Sequence, residues 1–319
     1  MRLFLSLVVI LLFLYSILPP IWPKTDDHVS ALVFFCPETD CMALFEAAVH
    51  QAKKSIHCAL YDLSDQLLPS FDGRSIDISI IYDVKNKVLP RQYLHPRKIS
   101  ALSHNKFCVF DGQYVWTGSF NPTGNRNRND VLLISSRYLA ANYEAEFQEL
   151  RGGKPRQTPY PHIVSDVMSM QNAFCPEDQC EQKVLDALSE AQKSIDVMAY
   201  SFTDPTIAML LLAKKEQGVN VRVLLEARQV GERSVYTMLR QHVPVQASNQ
   251  EGLLHYKVFV IDNETVITGS ANPTKNGYGN NDENILILHN PQIALQYSHR
   301  FVEESQENHV SLLRQKTGE

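Results

Sequence analysis

Two stretches of the chain carry the same reactive side chains at the same spacing. They read HNKFCVFDGQYVWTGSFNPTGN and HYKVFVIDNETVITGSANPTKN. Each has a His, a Lys two positions on and an Asp five positions after the Lys, followed by Gly-Ser-x-Asn. The residues are His104, Lys106, Asp111, Gly118, Ser119 and Asn121, and then His255, Lys257, Asp262, Gly269, Ser270 and Asn272. One such set could arise by chance, but two matched sets in one chain could hardly do so. They indicate a single site that is built from both sets.

These side chains suit chemistry on a phosphodiester. Side chains at i and i+2 of a strand face the same way, so each His is predicted to point with its Lys. Lysines can neutralise the non-bridging oxygens, while one imidazole attacks phosphorus and the other protonates the leaving oxygen. Hydroxyls and amides can donate to the charge that grows in the transition state, which predicts a phosphate-binding role for Ser119, Asn121, Ser270 and Asn272. The pattern predicts a phosphodiesterase without a metal or other cofactor.

An internal repeat supplies the elements that position these side chains. Cys36 and Cys175 are 139 positions apart (175 − 36), and the two motif histidines are 151 apart (255 − 104). Each copy is predicted to contain strand, helix, strand, crossover, motif strand, further strand and C-terminal helix. The predicted fold class is therefore α/β, with a mixed sheet and flanking helices in each half.

The two crossovers are predicted to differ. The second copy contains PTIAMLLLAKKEQG, a helical pattern that ends at Gly218, whereas Pro69 and Gly73 interrupt the same region of the first copy and predict a short stub. A stretch rich in Gly, Pro and charge separates the copies. We predict a first half over 24–150, a linker over 151–163 and a second half over 164–319.

With these motifs, the chain resembles the phospholipase D superfamily over nearly everything after residue 30. The resemblance implies two similar halves, one active site at their pseudo-twofold interface, and a phosphohistidine intermediate. It implies that Asp111 and Asp262 support the site structurally. The compact halves resemble the small bacterial nuclease and mitochondrial cardiolipin hydrolase branch. Because both motifs lie in one chain, a monomer is expected.

The superfamily places a carboxylate behind each His, and here the two copies differ. Glu283 occupies that place in the second copy, whereas Asn129, followed by Asp130, aligns with it in the first. Asn129 and Asp130 are therefore the candidates for orienting His104. An amide leaves an imidazole closer to neutral than a carboxylate does. We hypothesise that His104 is the nucleophile, and that His255, backed by Glu283, is the general acid and then the base.

The motifs do not identify the substrate. Phospholipid headgroup hydrolysis is favoured because the first 23 residues are predicted to direct the chain to a membrane. An endo- or exonuclease acting on single-stranded nucleic acid is the alternative. An inactive binding scaffold is a third reading, against which the intact motifs argue. A basic cluster near the first motif could be a solvated face or a guide for a polyanion. It comprises Lys85, Lys87, Arg91, Arg97, Lys98, Arg126 and Arg128.

The first 23 residues, MRLFLSLVVILLFLYSILPPIWP, are predicted to be a signal anchor or a cleaved signal peptide. With Arg2 on the cytoplasmic side, either places the remainder outside the cytoplasm, membrane-anchored or secreted. The rest of the composition is that of a globular protein, with 44% hydrophobic and 20% charged residues. The formal net charge of -5 argues against a protein that coats nucleic acid nonspecifically.

Six cysteines suit an oxidising compartment. Each copy has a C-x4-C pair, and a local disulfide in each is the first interpretation, with zinc binding as the alternative. The disulfide candidates are Cys36, Cys41, Cys175 and Cys180. Cys58 and Cys108 lie in apolar strand-like runs and are predicted to be buried and inert.

Overall fold

Two mixed β-sheets repeat one strand order in the computed structural model, which describes residues 23–154 and 158–317. Strands β1 to β8 are Lys24–Thr25, Ser30–Cys36, Ser55–Leu60, Asp77–Asp83, Leu94–Arg97, Lys106–Phe110, Tyr114–Gly118 and Asn129–Ser135. Strands β9 to β16 are Ile163–Val164, Ser169–Cys175, Ser194–Ala199, Asn220–Glu226, Val245–Ser248, Lys257–Ile261, Thr265–Gly269 and Glu283–His289. One sheet has the order β2-β8-β7-β6-β3-β4-β5, and the other β1-β9-β10-β16-β15-β14-β11-β12-β13. Beyond β1 and β9 the two orders match strand for strand, which confirms the α/β class with two similar halves.

Helices flank both sheets. In chain order, α1 to α8 are Cys41–Gln51, Leu68–Phe71, Arg137–Leu150, Cys180–Ser189, Pro205–Glu216, Tyr236–Leu239, Lys275–Gly279 and Pro291–Thr317. The predicted long crossover helix is α5, which begins at Pro205 after Asp204 accepts hydrogen bonds from the backbone of its first turn. The predicted stub is α2, which has a proline in its first turn and is followed by Gly73 at φ 73°.

One buried hydrophobic cluster runs through the interface between the halves, and each half also has a cluster of its own. Strands β6 and β14 are buried along their whole length, so their sequences are continuously apolar after the lysine. One cluster of buried side chains joins both halves, with Tyr143 packed edge-on against Phe174, and Tyr297 against Phe35. Each pair takes one ring from each half, so the two sheets are held together by a shared core.

The chain's N-terminal strand departs from the predicted division. Lys24–Thr25 was assigned to the first half, yet β1 pairs in parallel with β9 in the second-half sheet. Its backbone hydrogen bonds are completed by residues 162–164, which lie in or beside the predicted linker. The boundaries at residues 150 and 163 otherwise stay predictions.

Three disulfides form among the described residues. The predicted pairs Cys36–Cys41 and Cys175–Cys180 are confirmed, which leaves no thiolates for the zinc alternative. Cys58 and Cys108 are buried, as predicted, but they were missed as a disulfide pair and are bonded to each other. They face each other in the antiparallel β3–β6 register with Cα atoms 4.0 Å apart, a proximity that only strand pairing creates.

The predicted signal segment lies outside the described residues except for Pro23. Across residues 23–154 and 158–317, no helix is long and apolar enough to cross a membrane.

Candidate active site

Each motif histidine is fixed by the backbone of the opposite half. His104 lies just before β6, and its N–H donates to the carbonyl of Asp282 at 2.9 Å. His255 lies just before β14, and its N–H donates to the carbonyl of Arg128 at 2.9 Å. Short parallel bridges at Ser103–Asp282 and Arg128–Leu254 complete both connections. The two motifs therefore meet at the interface, as the resemblance implied.

The partners of the two imidazoles also cross the interface. His104 Nδ1 lies 2.8 Å from Glu283 Oε2, and His255 Nδ1 lies 2.8 Å from Asn129 Oδ1. The predicted pairing of each His with a partner from its own copy was wrong. Glu283 and Asn129 begin β16 and β8 directly after the bridge residues, so each faces the histidine of the other half. The carboxylate consequently stands behind His104 and the amide behind His255.

Asp130, the other candidate for orienting a histidine, instead binds hydroxyl groups. Its carboxylate accepts from Ser119 Oγ at 2.7 Å, Thr268 Oγ1 at 2.5 Å and Tyr297 OH at 2.8 Å. It alternates with Asn129 along β8, so the two side chains point to opposite faces. Its contacts join hydroxyls of both halves.

The hydroxyls of both motif serines are bonded to carboxylates, which corrects their predicted phosphate-binding role. Ser119 Oγ donates to Asp130, and Ser270 Oγ donates to Glu283 Oε2 at 2.6 Å. Both serines are fully buried. Strands β7 and β15 end one residue earlier, and the chain turns so that each hydroxyl meets the neighbouring strand. The serines therefore hold carboxylates in place.

Asn121 and Asn272 remain the candidates for binding phosphate. Both are partly exposed on the loops that follow the serines. Within the described part of the chain, the Oδ1 atom of each is buried without a hydrogen-bond partner. An amide oxygen only accepts, so a contact to a phosphate anion would come from the Nδ2 group of each side chain.

The two motif lysines are buried beside their histidines. Lys106 Nζ lies 3.1 Å from His104 Nε2 and donates to the His104 carbonyl at 2.8 Å. Lys257 Nζ donates to the His255 carbonyl at 2.5 Å. Burial lowers the pKa of Lys106 to about 7, and burial followed by the Lys106 charge lowers that of Lys257 well below its usual value. An anionic substrate would restore both charges.

Burial and the nearby lysines favour neutral imidazoles, and the oxygen atoms beside each Nδ1 favour the tautomer that carries its proton there. Burial, followed by the lysine charges, lowers the pKa of His104 and His255 well below the usual value. Asn129 Nδ2 donates to the carbonyl of Asn127 at 2.8 Å, which leaves Oδ1 to accept from His255. Burial raises the pKa of Glu283 to about 7. Each ring thus presents an unprotonated Nε2, which in His104 lies 3.1 Å from Lys106 Nζ.

Two tyrosines beside the histidines were missed as site residues. The Tyr61 and His104 ring centroids are 4.7 Å apart, and those of Tyr200 and His255 are 4.9 Å apart. Each motif lysine also lies over its tyrosine ring, at 5.3 Å for Lys106 and 5.1 Å for Lys257. The signal was present in the repeat, which superimposes Tyr61 on Tyr200.

Two buried carboxylates that anchor the residue before each histidine were also missed. Asp83 Oδ2 accepts from the N–H of Ser103 at 2.8 Å, and Glu226 Oε2 accepts from the N–H of Leu254 at 2.7 Å. They end the equivalent strands β4 and β12, whose sequences are DISIIYD and NVRVLLE. An acidic residue at the last position of both strands was the sequence signal that could have identified them. Both therefore fix the backbone from which a catalytic candidate projects.

The motif aspartates bind backbone, in agreement with the supporting role that the resemblance implied. Asp111 accepts from the N–H groups of residues 53–55, and Asp262 from those of residues 192–194. Burial alone would raise the pKa of each, but these donors bring it below the usual value. Both aspartates tie the start of β3 or β11 to the end of the motif strand.

Comparisons with known proteins agree with this arrangement. The family model described as cardiolipin synthase, PLD-like domain, matches residues 46–151 and 184–304, one motif in each segment. Phospholipase D of Rickettsia conorii is 28% identical over 141 residues, covering 44% of this chain and 70% of the relative. Mitochondrial cardiolipin hydrolase of Xenopus laevis is 29% identical over 174 residues, covering 51% and 83%.

A solved structure resembles both halves together. Phosphatidylserine synthase from Haemophilus influenzae aligns with a TM-score of 0.67 and 14% identity over 88% of each chain. At this identity the likeness concerns the fold alone.

Proposed function

Since this chain belongs to the cardiolipin synthase, PLD-like domain family and is a phospholipase D-type phosphodiesterase, we propose that it hydrolyses phospholipid headgroups without a metal, through a phosphohistidine. The observation that carries this mechanism is the pair of buried, neutral imidazoles, each held by Nδ1 and each beside a lysine. Such a pair supplies a nucleophile and a proton carrier, and the lysines supply the charge that binds a phosphate.

His104 is the nucleophile in this proposal. When its Nε2 bonds to phosphorus, positive charge develops on the ring, and the Glu283 carboxylate behind Nδ1 stabilises it. The bond from phosphorus to the headgroup oxygen breaks, and His255 protonates that oxygen. His104 thus keeps the role hypothesised from the sequence, but for a different reason, because the carboxylate stands behind it.

His255 carries the proton in both steps. A bound phosphate anion raises its pKa and so loads the ring with a proton, while the neutral Asn129 amide orients the ring without holding that proton as a carboxylate would. In the second step His255 takes a proton from water, whose oxygen attacks phosphorus and breaks the phosphorus–nitrogen bond. His104 is then free and neutral again.

A phospholipid is the better supported substrate. The curated relatives reported above are named phospholipase D and mitochondrial cardiolipin hydrolase. Several members of the basic cluster are already paired: Arg91 with Asp72, Arg97 with Asp282 and Arg128 with Glu304. These pairings weaken the case for a continuous track that binds a polyanion.

We also infer an extracytoplasmic, membrane-associated enzyme. The predicted N-terminal segment would tether or export it, and the three disulfides fit an oxidising compartment. One chain supplies both motifs, so a monomer would suffice for activity.

The function is tested by incubating the full chain in chelator with labelled phospholipid vesicles and, separately, with a labelled single-stranded oligonucleotide. We expect headgroup release from the vesicles, lost in His104→Ala and His255→Ala and kept in His50→Ala, which changes an exposed histidine. Cleavage of the oligonucleotide alone would replace the lipid substrate by nucleic acid. Activity only with a divalent metal would overturn the mechanism.

The nucleophile is tested by rapid quenching under conditions that preserve phosphohistidine. We expect a phosphatidyl group on His104, accumulating when His255→Ala slows its hydrolysis. Recovery of the label on His255 in the wild-type chain would reverse the two roles.

A further inference from the structure

The loop that follows β4, residues 84–91 with the sequence VKNKVLPR and called here the rim loop, presents large apolar side chains to solvent. Val84 is 45% exposed and Leu89 is 54% exposed. The rim loop therefore places two exposed aliphatic side chains within eight residues of one another.

The rim loop is fixed to the candidate active site. Asn86 Nδ2 donates to the carbonyl of Tyr61 at 2.5 Å, and the Leu89 N–H donates to Asp65 Oδ1 at 2.7 Å. Asp83, which ends β4, accepts from the Lys85 N–H at 2.8 Å and also holds the residue before His104. The exposed apolar side chains therefore project from a loop whose backbone is anchored at the site.

The charges of the rim loop are all positive. Lys85 and Lys87 are exposed between the two apolar residues, and the sequence from 84 to 97 contains no Asp or Glu. Exposed aliphatic side chains among cations match a phospholipid surface with anionic headgroups, where apolar groups enter and cations stay at the headgroups. Single-stranded nucleic acid is usually met by aromatic rings that stack on bases, and this loop has none.

The segment of the second half that corresponds to the rim loop, residues 227–233, lacks an equivalent feature. The segment after β12 begins with the turn Ala227–Gln229 and continues with Val230, which is only partly exposed. It also carries the acidic Glu232 beside Arg233. The apolar and basic rim is thus confined to the side of the site formed by the first half.

We propose that the rim loop is an interfacial docking element for an anionic phospholipid surface. Val84 and Leu89 enter between the headgroups, and Lys85 and Lys87 contact headgroup anions. Docking on this side brings a lipid phosphodiester to Tyr61 and His104 while its acyl chains stay in the bilayer. This inference rests on the proposed lipid substrate, whose site it deepens.

Kinetics on two kinds of substrate test the proposal with the full chain. The double variant Val84→Ser/Leu89→Ser should lose roughly tenfold or more in kcat/KM on vesicles containing anionic phospholipid. It should match wild type on a soluble phosphodiester, bis(4-nitrophenyl) phosphate. The control Met209→Ser/Leu295→Ser, at exposed apolar positions elsewhere, should behave as wild type on both.

A dye reports docking without turnover. All six cysteines form disulfides, so Leu89→Cys adds a single free thiol for an environment-sensitive fluorophore. In a His104→Ala background, anionic vesicles should shift its emission to the blue, and less so after Lys85→Gln/Lys87→Gln. A fluorophore at Met209→Cys should not shift.

The outcomes separate this inference from the proposed function. Equal vesicle kinetics for the rim and control variants, or no emission shift at residue 89, would overturn the docking element. An emission shift without lipid hydrolysis by the wild type would retain the docking element and remove the lipid substrate. Loss of oligonucleotide cleavage in the rim variants, with vesicle binding intact, would assign the loop to nucleic acid instead.

Discussion

At the scale of single residues, the groups behind the two histidines make an otherwise symmetrical site unequal. Both rings donate from Nδ1 at 2.8 Å, but His104 donates to a carboxylate and His255 to an amide. A carboxylate stabilises positive charge on the ring, whereas an amide chiefly fixes its orientation. This difference underlies the proposed division between nucleophile and proton carrier.

Exchanging these groups tests that division. Glu283→Gln should lower kcat by about 10²–10⁴-fold, because the charge that develops on His104 loses its counter-charge. Asn129→Asp should lower kcat much less. It should also raise the pKa of His255, which moves the pH–rate profile to higher pH. Profiles of kcat for both variants provide the measurement. Equal losses without a shift for Asn129→Asp would show that the asymmetry does not divide the roles.

The buried Lys106 side chain is predicted to lower the stability of the fold while serving the active site. Burial lowers its pKa to about 7 in the folded state, against about 10.4 in an unfolded chain. Between these values the unfolded chain binds a proton that the folded chain does not, so this group makes stability rise with pH from about 7 to 10. Below pH 7 the folded protein must hold the buried charge.

Lys106→Met should therefore abolish activity yet stabilise the fold at pH 6, by about 1–4 kcal/mol. Glu283, whose pKa burial raises to about 7, can take up a proton there and need not remain an unpaired anion. Urea denaturation at pH 6 and pH 9 would measure the gain and its decline with pH. Lys53→Met, at an exposed lysine, is the control, and a less stable Lys106→Met at pH 6 would contradict the prediction.

At the scale of elements, the Gly-Ser turn brings each motif hairpin against the strand that carries a histidine partner. Gly118 has φ 143° and Gly269 has φ 140°, and a Cβ at either would overlap a carbonyl oxygen of the adjacent strand. Those oxygens belong to Asp130 and Asn284, each one residue after a histidine partner. The glycines are thus required by a close backbone approach at the site.

Gly118→Ala should destabilise the fold by more than about 2 kcal/mol and should lower activity, because β8 and Asn129 must move. Gly112→Asn is the matched control: it also has positive φ, with nothing within 4 Å of an added Cβ, and Asn263 occupies the equivalent turn at φ 57°. That variant should change stability by less than about 1 kcal/mol. Urea unfolding of both would measure the difference, and similar losses would refute the close-approach argument.

At the scale of the whole molecule, the two halves share one hydrophobic cluster and one ion-pair network. Arg128 of the first half is buried and contacts Glu304 of α8 at 2.9 Å and Ser248 at 3.0 Å. Its carbonyl also accepts from the N–H of His255. Assembly of the halves and placement of a catalytic histidine therefore depend on the same residue.

Glu304→Gln should cost about 3–5 kcal/mol, because it removes the carboxylate that pairs with buried Arg128 and Arg300. It should lower kcat more than it raises KM, since His255 loses its fixed position. Glu264→Gln breaks an exposed pair with Lys193 and should cost less than about 1 kcal/mol. Thermal unfolding together with steady-state kinetics would compare them, and equal losses would exclude a special role for the buried pair.

The sequence by itself determined the parts of this protein that depend on local spacing. The duplicated His-Lys-Asp sets, the α/β repeat, the long crossover helix at Pro205 and the C-x4-C disulfides all follow from neighbours along the chain. Periodicity and turn residues act over a few positions, so they can be read without a structure. The family and its reaction class follow from the same motifs.

Only the tertiary structure decided which groups face each other across the halves. Glu283 stands 179 positions from His104, and the docking of the two halves sets that contact. Cys58 stands 50 positions from Cys108, and strand register within the first half sets that one. Packing within each half directed the Ser119 and Ser270 hydroxyls to carboxylates on the neighbouring strand. Such contacts depend on strand register and on how the two similar units fit together, and local spacing along the chain carries no information about either.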